Sequence, residues 1–195
     1  MPRLFVAVPV PREAVEAVAD ILGRVGPPGD ARGIRWIQQE GLHLTLRFLG
    51  AAPLSAVEPT AAAVHAAVAG HRAFRVTLGG AGAFPSTSRP RVLWLGIGEG
   101  VASLAALVED LETRLAAAGW APTGRPFRPH LTVARTDAAP YDAGAAAAQA
   151  LIEAAGSRSI AFDAERAVLY RSHLGRGPAR YEVLADARLG TPAPA

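Results

Sequence analysis

The sequence predicts an α+β protein built as two similar lobes, each a sheet backed by helices. Three observations carry this. Strand-like and helix-like segments alternate, but without the steady rhythm of a parallel doubly wound sheet. Half of the 195 residues are hydrophobic, enough for a sizeable core in one compact unit spanning 1–195. The third is a near-repeat: His43-Leu44-Thr45-Leu46 returns as His130-Leu131-Thr132-Val133. The copies lie 87 residues apart (130 minus 43), close to half the chain, a spacing that points to an old duplication.

Arg3 to Pro9 reads as a buried strand, because Leu4 to Val8 is a continuous apolar run. Pro11 can open a helix, and Val15, Val18, Ile21, Leu22 and Val25 follow at helical spacing. Gly26-Pro27-Pro28-Gly29 ends it. Ile34 to Gln38 is a short strand, and Leu42 to Leu49 is the strand of the first motif. Leu54 to Ala69 is an Ala-rich helix with Ser55 as its cap and Pro59 in its first turn. Phe74 to Leu78 and Val92 to Ile97 are strands, separated by a Gly/Pro/Ser loop from Gly79 to Pro90.

The turn Gly96 to Gly100 leads into the strongest helix, Val101 to Ala118, with Leu104, Leu107, Val108, Leu111 and Leu115 on one stripe. It lacks the Lys and Ser/Thr of a phosphate-binding P-loop. Pro122 to Pro129 is a loop, and His130 to Ala134 is the second motif strand. Ala143 to Ala155 is helical by Ala propensity. Ser159 to Phe162, Ala167 to Tyr170 and Arg180 to Leu184 are strands, the last two pairing around Gly175-Arg176-Gly177-Pro178. Gly190 to Ala195 reads as a frayed tail.

Composition narrows the chemistry. Without cysteine there is no disulfide, no thiolate nucleophile and no Cys-type zinc site. No apolar run is long enough for a membrane span, and the start lacks a signal-peptide pattern, so a cytoplasmic protein is expected. The chain has no Lys, so every permanent cation is an Arg, a planar fork suited to phosphate or carboxylate. The net charge of +3 permits a polyanionic partner without demanding one.

In a strand, side chains alternate between faces. His43 and Thr45 therefore share one face and Leu44 and Leu46 the other, and the second motif repeats the pattern. A single His-x-Thr is a weak signal; nine Thr in the chain give any His roughly a 5% chance of one two positions on. Repetition and neighbouring Arg47, Arg125, Arg128 and Arg135 strengthen it. Two imidazoles can supply one neutral base and one protonated acid near neutral pH, each role worth about 10² to 10⁴ in rate. Thr hydroxyls can donate to phosphate oxygens, and an Arg can hold the charge that grows on them. The pattern fits phosphodiester cleavage. The bland alternative is two half-buried strands with ordinary polar residues.

The sequence resembles the 2H phosphoesterases, named for two His-x-Thr/Ser-x motifs, and in particular the LigT-type RNA 2′,3′-cyclic phosphodiesterases, historically called 2′-5′ RNA ligases. The resemblance rests on Arg3 to Ala7, on LHLTLRFLG from Leu42 to Gly50, on RVLWLG from Arg91 to Gly96, on RPFRPHLTVAR from Arg125 to Arg135, and on Tyr170 to Tyr181 with Arg176, Gly177 and Arg180. It implies a bilobal fold with two antiparallel sheets lining a central cleft and helices outside. It implies hydrolysis of a terminal 2′,3′-cyclic phosphate to a 2′-phosphate, with no metal and no cofactor. It implies His43 as proton donor, His130 as proton acceptor, and Thr45, Thr132 and Arg135 as phosphate-binding residues. Arg128 and Arg91 are further candidates for substrate contact. The residues themselves leave the two His equivalent.

The implied partner is RNA with 2′,3′-cyclic phosphate ends, tRNA fragments among them, bound by a monomer. Ligation at the same site and non-catalytic binding of RNA ends stay open as alternatives, as does a small cyclic nucleotide substrate. A metal hydrolase is disfavoured, because no carboxylate accompanies either motif. His65, His71 and His173 read as surface residues. Trp36, Trp94 and Trp120 read as core. Phe48, Phe84 and Tyr170 are candidate platforms for a base, and Arg89, Arg91, Arg171, Arg176 and Arg180 candidate backbone contacts.

Overall fold

A computed structural model describes residues 2–25, 33–136, 142–173 and 179–191. In chain order the elements are β1 (Arg3–Pro9), α1 (Arg12–Val25), β2 (Ile34–Trp36), β3 (His43–Ala51), α2 (Val57–Val68), β4 (Phe74–Phe84), β5 (Val92–Ile97), α3 (Val101–Ala117), β6 (His130–Thr136), α4 (Asp142–Ala155), β7 (Ser159–Ala164), β8 (Arg166–His173) and β9 (Arg180–Arg188). The Gly26–Gly29 and Gly175–Pro178 clusters and the last four residues of the tail lie outside the described residues.

The strands pair antiparallel in the order β7-β4-β5-β6-β3-β1-β8-β9, with β2 also on β6. The order is symmetric about the β3–β6 junction. On either side of it β3 answers to β6, β1 to β5, β8 to β4 and β9 to β7. Each half is a sheet closed by its own strand pairs, and the two halves meet edge to edge at one paired position, Leu44 with Leu131. The two expected sheets are therefore joined into one curled sheet. The lobes are not the N- and C-terminal halves of the chain. β8 and β9 return to complete the lobe that β1 and β3 begin, with β1 pairing β8 from Arg3↔Ser172 to Ala7↔Val168.

The helices pack in two pairs. α1 and α4 lie together on the lobe of β4 and β7, and α2 and α3 lie together over β3, β8 and β9. Leu104, Leu107, Leu111 and Leu115 of α3 are all nearly inaccessible, as their stripe predicts. The inward faces of the strands belong to the same core: Leu4, Val6 and Val8, Leu44 and Leu46, Leu93 and Leu95, Leu131 and Val133. The motif strands thus turn their Leu and Val to the helices, which leaves the His and Thr on the opposite face.

Three local expectations change. β4 runs on to Phe84 instead of ending at Leu78. Its glycines mark a register shift between Leu78 and Ala81 and a close approach, not a loop. At Gly82 a Cβ would stand 2.5 Å from the Trp94 ring, so only Gly lets that ring lie flat on the sheet. Ser55 does not cap α2. A short 3₁₀ turn, Leu54–Ala56, intervenes, and the N-cap is Ala56 with no side-chain bond. Thr60, inside the helix, instead donates to the Ala56 carbonyl and accepts from Trp120 Nε1 at 2.9 Å. His71 is tied into the fold, its Nε2 lying 2.7 Å from Asp110 Oδ2 of α3.

Because one pair joins the lobes, its side chains should matter to stability. Leu131→Ala, at a fully buried position, is expected to cost about 2 to 5 kcal/mol. Urea denaturation of the two proteins measures this.

Candidate active site

The geometry of the site follows from the junction. In an antiparallel pair with Leu44 opposite Leu131, His43 falls toward Thr132 and Thr45 toward His130. All four are on the face away from the helices. In a regular ladder, diagonal neighbours on one face stand about 7 to 8 Å apart at this register, a span that leaves room for one phosphate between two imidazoles.

Both motif strands carry a bulge just past the Thr. In β3 the partners step from Ala7↔Thr45 to Val6↔Arg47, which leaves Leu46 as an extra residue. In β6 they step from Trp94↔Thr132 to Leu93↔Ala134, which leaves Val133 extra. A bulge reverses the alternation beyond it. Arg47, four residues after His43, is thereby turned to the helix side. There its Nε lies 2.8 Å from Glu112 Oε1 and its Nη2 donates to the Ala121 carbonyl at 2.5 Å. The expected cation beside the first motif is thus a strut from β3 to α3 and to the loop that leads into β6. Arg135, five residues after His130, is turned the other way, onto the site face.

A cleft of about 630 Å³ opens on that face, lined by His43, Thr45, Thr132 and Arg135 together with Arg3, Phe5, Arg35, Trp36, Phe48 and Tyr181. Arg35 of β2 is the direct strand partner of Arg135. The motif pattern does not single out Arg3, Phe5, Arg35 or Tyr181 as site residues. They lie on other strands, and only pairing brings them to the His. A second hollow of about 420 Å³ lies beyond His43, between Tyr170, Tyr181 and the start of α1.

The two His rings are held alike. His43 Nδ1 lies 2.7 Å from the Gly41 carbonyl, and His130 Nδ1 lies 2.7 Å from the Arg128 carbonyl. A carbonyl only accepts, so Nδ1 carries the proton in both rings and Nε2 is the atom left for chemistry. Arg128 thus contributes its backbone to the site. Its side chain is exposed, and so is that of Arg91, whose backbone is tied to Phe84 and Thr136. Neither side chain joins the cleft lining, and the His130 ring stands beside that lining, with Thr132 and Arg135 as the residues of β6 that belong to it.

The surroundings of the two rings differ. His43 packs against Phe5 at 4.8 Å between ring centroids and meets Tyr181 edge-on at 5.3 Å, with Phe5 in turn stacked on Tyr170 at 5.1 Å. This aromatic cage removes water from the imidazole. Burial is the main reason that the His43 pKa falls to about 4; the Gly41 hydrogen bond opposes the fall and the Arg135 charge adds to it. Burial likewise raises the phenols of Tyr170 and Tyr181, which therefore stay protonated and able to donate. His130 has one aromatic neighbour of this kind, Phe84, edge-on at 5.1 Å and itself packed on Trp94. So Phe84 supports a catalytic candidate and Tyr170 supports Phe5, while Phe48 alone of the three expected base platforms lines the cleft. His173 is exposed and bonded to Glu182 at 2.8 Å. His65 is exposed on α2.

Among the described residues no three His, Asp or Glu side chains come together as a metal-binding group. No helix among them is long and apolar enough to cross a membrane.

A bilobal antiparallel sheet that presents two His-x-Thr strands to one cleft defines a phosphoesterase of the 2H type. The chain belongs to the 2′-5′ RNA ligase superfamily, whose family model matches residues 9–176. It is 30% identical to the Escherichia coli RNA 2′,3′-cyclic phosphodiesterase over 93% of both chains. It is 31% identical to the Geobacillus stearothermophilus protein of the same name over 96% of its own length but only 58% of that relative's. With the Aeropyrum pernix protein of that name, the shared stretch likewise spans 62% of the relative. Among solved structures, E. coli LigT complexed with 3′-AMP superposes with a TM-score of 0.74 at 27% identity, covering 97% of this chain and 99% of that one. A Thermus thermophilus protein superposes at 0.76 with 27% identity, covering 97% and 98%.

Two outcomes test the electrostatics. An NMR titration of His43 should give a midpoint near 4, and Arg135→Gln should raise it, since the lost positive charge disfavours the imidazolium. Between about pH 6.5 and 4 the unfolded chain binds a proton that the folded chain refuses, so stability falls as pH drops through that window. The full shift corresponds to on the order of 3 kcal/mol. Denaturant unfolding at pH 7 and pH 4.5 should show this loss in the wild type and its absence in His43→Gln.

Proposed function

We propose that this protein hydrolyses RNA ends bearing a 2′,3′-cyclic phosphate to a 2′-phosphate and a free 3′-hydroxyl, without a metal, as a single bilobal unit. The observation that carries this is the matched pair of imidazoles, each pinned through Nδ1, with His43 lining the cleft beside Thr45 and Thr132 and His130 next to that cleft, two residues before Thr132 on the same strand face. Names and ligands of relatives agree with it: several are RNA 2′,3′-cyclic phosphodiesterases, and one was solved with 3′-AMP.

In the proposed reaction Thr45 and Thr132 donate to the non-bridging phosphate oxygens. Arg135 offsets the charge that builds on them. His130 Nε2 takes a proton from water while the water oxygen bonds to phosphorus. The bond from phosphorus to the 3′ oxygen breaks on the opposite side, and His43 Nε2 delivers its proton to that oxygen. The two rings exchange roles by the end of one turnover, and solvent restores them.

The aromatic cage bears on the donor role. A His with a pKa near 4 is neutral in the empty site at pH 7. An arriving phosphate anion favours the imidazolium and neutralises Arg135, which disfavours it. Substrate binding thus supplies the condition for protonating His43. Once protonated, a ring of low proton affinity is a strong donor. Ligation of a 5′-hydroxyl end needs the same site with that hydroxyl in place of water, and mass action in water favours hydrolysis.

Purified protein in EDTA should convert an oligonucleotide 2′,3′-cyclic phosphate to the 2′-phosphate. A metal requirement, or a 3′-phosphate product, would refute the mechanism. His43→Ala and His130→Ala should each lower kcat by about 10² to 10⁴ while circular dichroism stays that of the wild type. In the wild type, the NMR midpoint of His43 should rise when a nucleoside 2′-phosphate is added.

A further inference from the structure

Tyr181 stands on β9, three strands from β3 in the order β3-β1-β8-β9. At the usual strand spacing this would separate the two backbones by about 14 Å. Its ring nevertheless meets the His43 ring edge-on at 5.3 Å and the Phe5 ring at 5.1 Å. The curl of the sheet brings the outer strand over the site, and Tyr181 lines the same cleft as Thr45, Thr132 and Arg135. The aromatic packing accounts for its ring. It does not account for its hydroxyl.

The hydroxyl end of the ring is the part that enters the site. A Cβ on Gly41 would stand 3.4 Å from Tyr181 Cε2, the ring carbon next to the one that bears the hydroxyl, and 3.3 Å from Ile37 Cγ2. Gly41 thus seats the ring against the residue whose carbonyl holds His43 Nδ1, and Gly41 and Ile37 both line the cleft. The hydroxyl makes no hydrogen bond among the described residues and is not sealed from solvent. A half-buried phenol normally finds a partner. Arg135 is near enough for its charge to act on this phenol and on His43 alike. Phenol, guanidinium and imidazole therefore converge on one small volume, and that volume suits an anion.

We propose that Tyr181 is a further phosphate-binding residue, its hydroxyl donating to a non-bridging oxygen of the cyclic phosphate between His43 and Arg135. The proposal rests on the cyclic phosphodiesterase function proposed above. Burial keeps the phenol protonated, so it gives a hydrogen bond and keeps its proton. The cyclic phosphate arrives with one negative charge, and charge grows on its non-bridging oxygens as water adds to phosphorus. A donor already in place strengthens with that charge, so the contact acts more in the transition state than in the ground state and belongs in kcat more than in KM. Thr45 and Thr132 serve the phosphate from the motif strands, and Tyr181 serves it from the strand that curls over them.

The test is Tyr181→Phe, which keeps the ring and removes only the hydroxyl, so the cage around His43 stays. On a nucleoside 2′,3′-cyclic phosphate the variant should lose about 10² in kcat with a smaller change in KM. The NMR midpoint of His43 should stay near 4, as in the wild type. A wild-type kcat in Tyr181→Phe would overturn the contact. So would a loss of kcat accompanied by a moved His43 midpoint, because the effect would then run through the imidazole. Failure of the wild type to turn over any 2′,3′-cyclic phosphate would overturn the proposed function instead. Calorimetry with a nucleoside 2′-phosphate would still decide the contact: Tyr181→Phe should bind it about tenfold more weakly than the wild type, and equal binding would refute the hydrogen bond.

Discussion

The lobes touch through one rung of backbone pairing, Leu44 against Leu131, and the candidate site depends on that contact. It sets which residues of β3 and β6 stand near each other, and so sets the spacing of the two His and two Thr. It also sits between the helix layer and the cleft, so the same strands bury Leu and Val on one side and present His and Thr on the other. Burial of four motif apolar residues to 5% exposure or less fixes register in the physical sense. A slip of one residue would place imidazoles in the core and leucines in the cleft.

The symmetry of the sheet gives the site two equal halves, and side-chain packing makes them unequal. Backbone carbonyls two residues upstream orient both rings in the same way. The aromatic cage of Phe5, Tyr170 and Tyr181 acts on His43 alone. The low proton affinity of that ring follows from its desolvation more than from any charge. The cage residues come from β1, β8 and β9, the strands on the far side of the first lobe, so the return of the chain end to the starting strand is what differentiates the two His. A duplication alone would have left them equivalent.

The bulges matter as much as the motifs. Both motif strands lose and regain their alternation at the same place, one or two residues beyond the Thr. The consequence is opposite for the two cations near the motifs. Arg47, on the expected face by simple alternation, leaves it and braces β3 against Glu112 and Ala121. Arg135, on the wrong face by the same count, is brought to the cleft, where its charge is felt at both His43 and Tyr181. The family resemblance pointed to Arg135; alternation would have pointed away from it.

The sequence by itself determined most of the elements, the helix-facing stripe of α3, the polar face of each motif strand, and the placing of His43, Thr45, His130 and Thr132 on those faces as candidate site residues. These follow from periodicity, which is local and survives without knowledge of the partner strand. It misjudged the glycines of β4, because Gly punctuates loops and also permits a ring to lie on a strand, as Trp94 does on Gly82. It could not show Arg3, Phe5, Arg35 and Tyr181 beside the motifs, nor the loss of Arg47 to the core side. Those are decided by strand order and by bulges, which are properties of pairing between distant segments. The desolvation of His43 is of the same kind. It comes from rings contributed by three other strands, and only the folded chain brings them around His43.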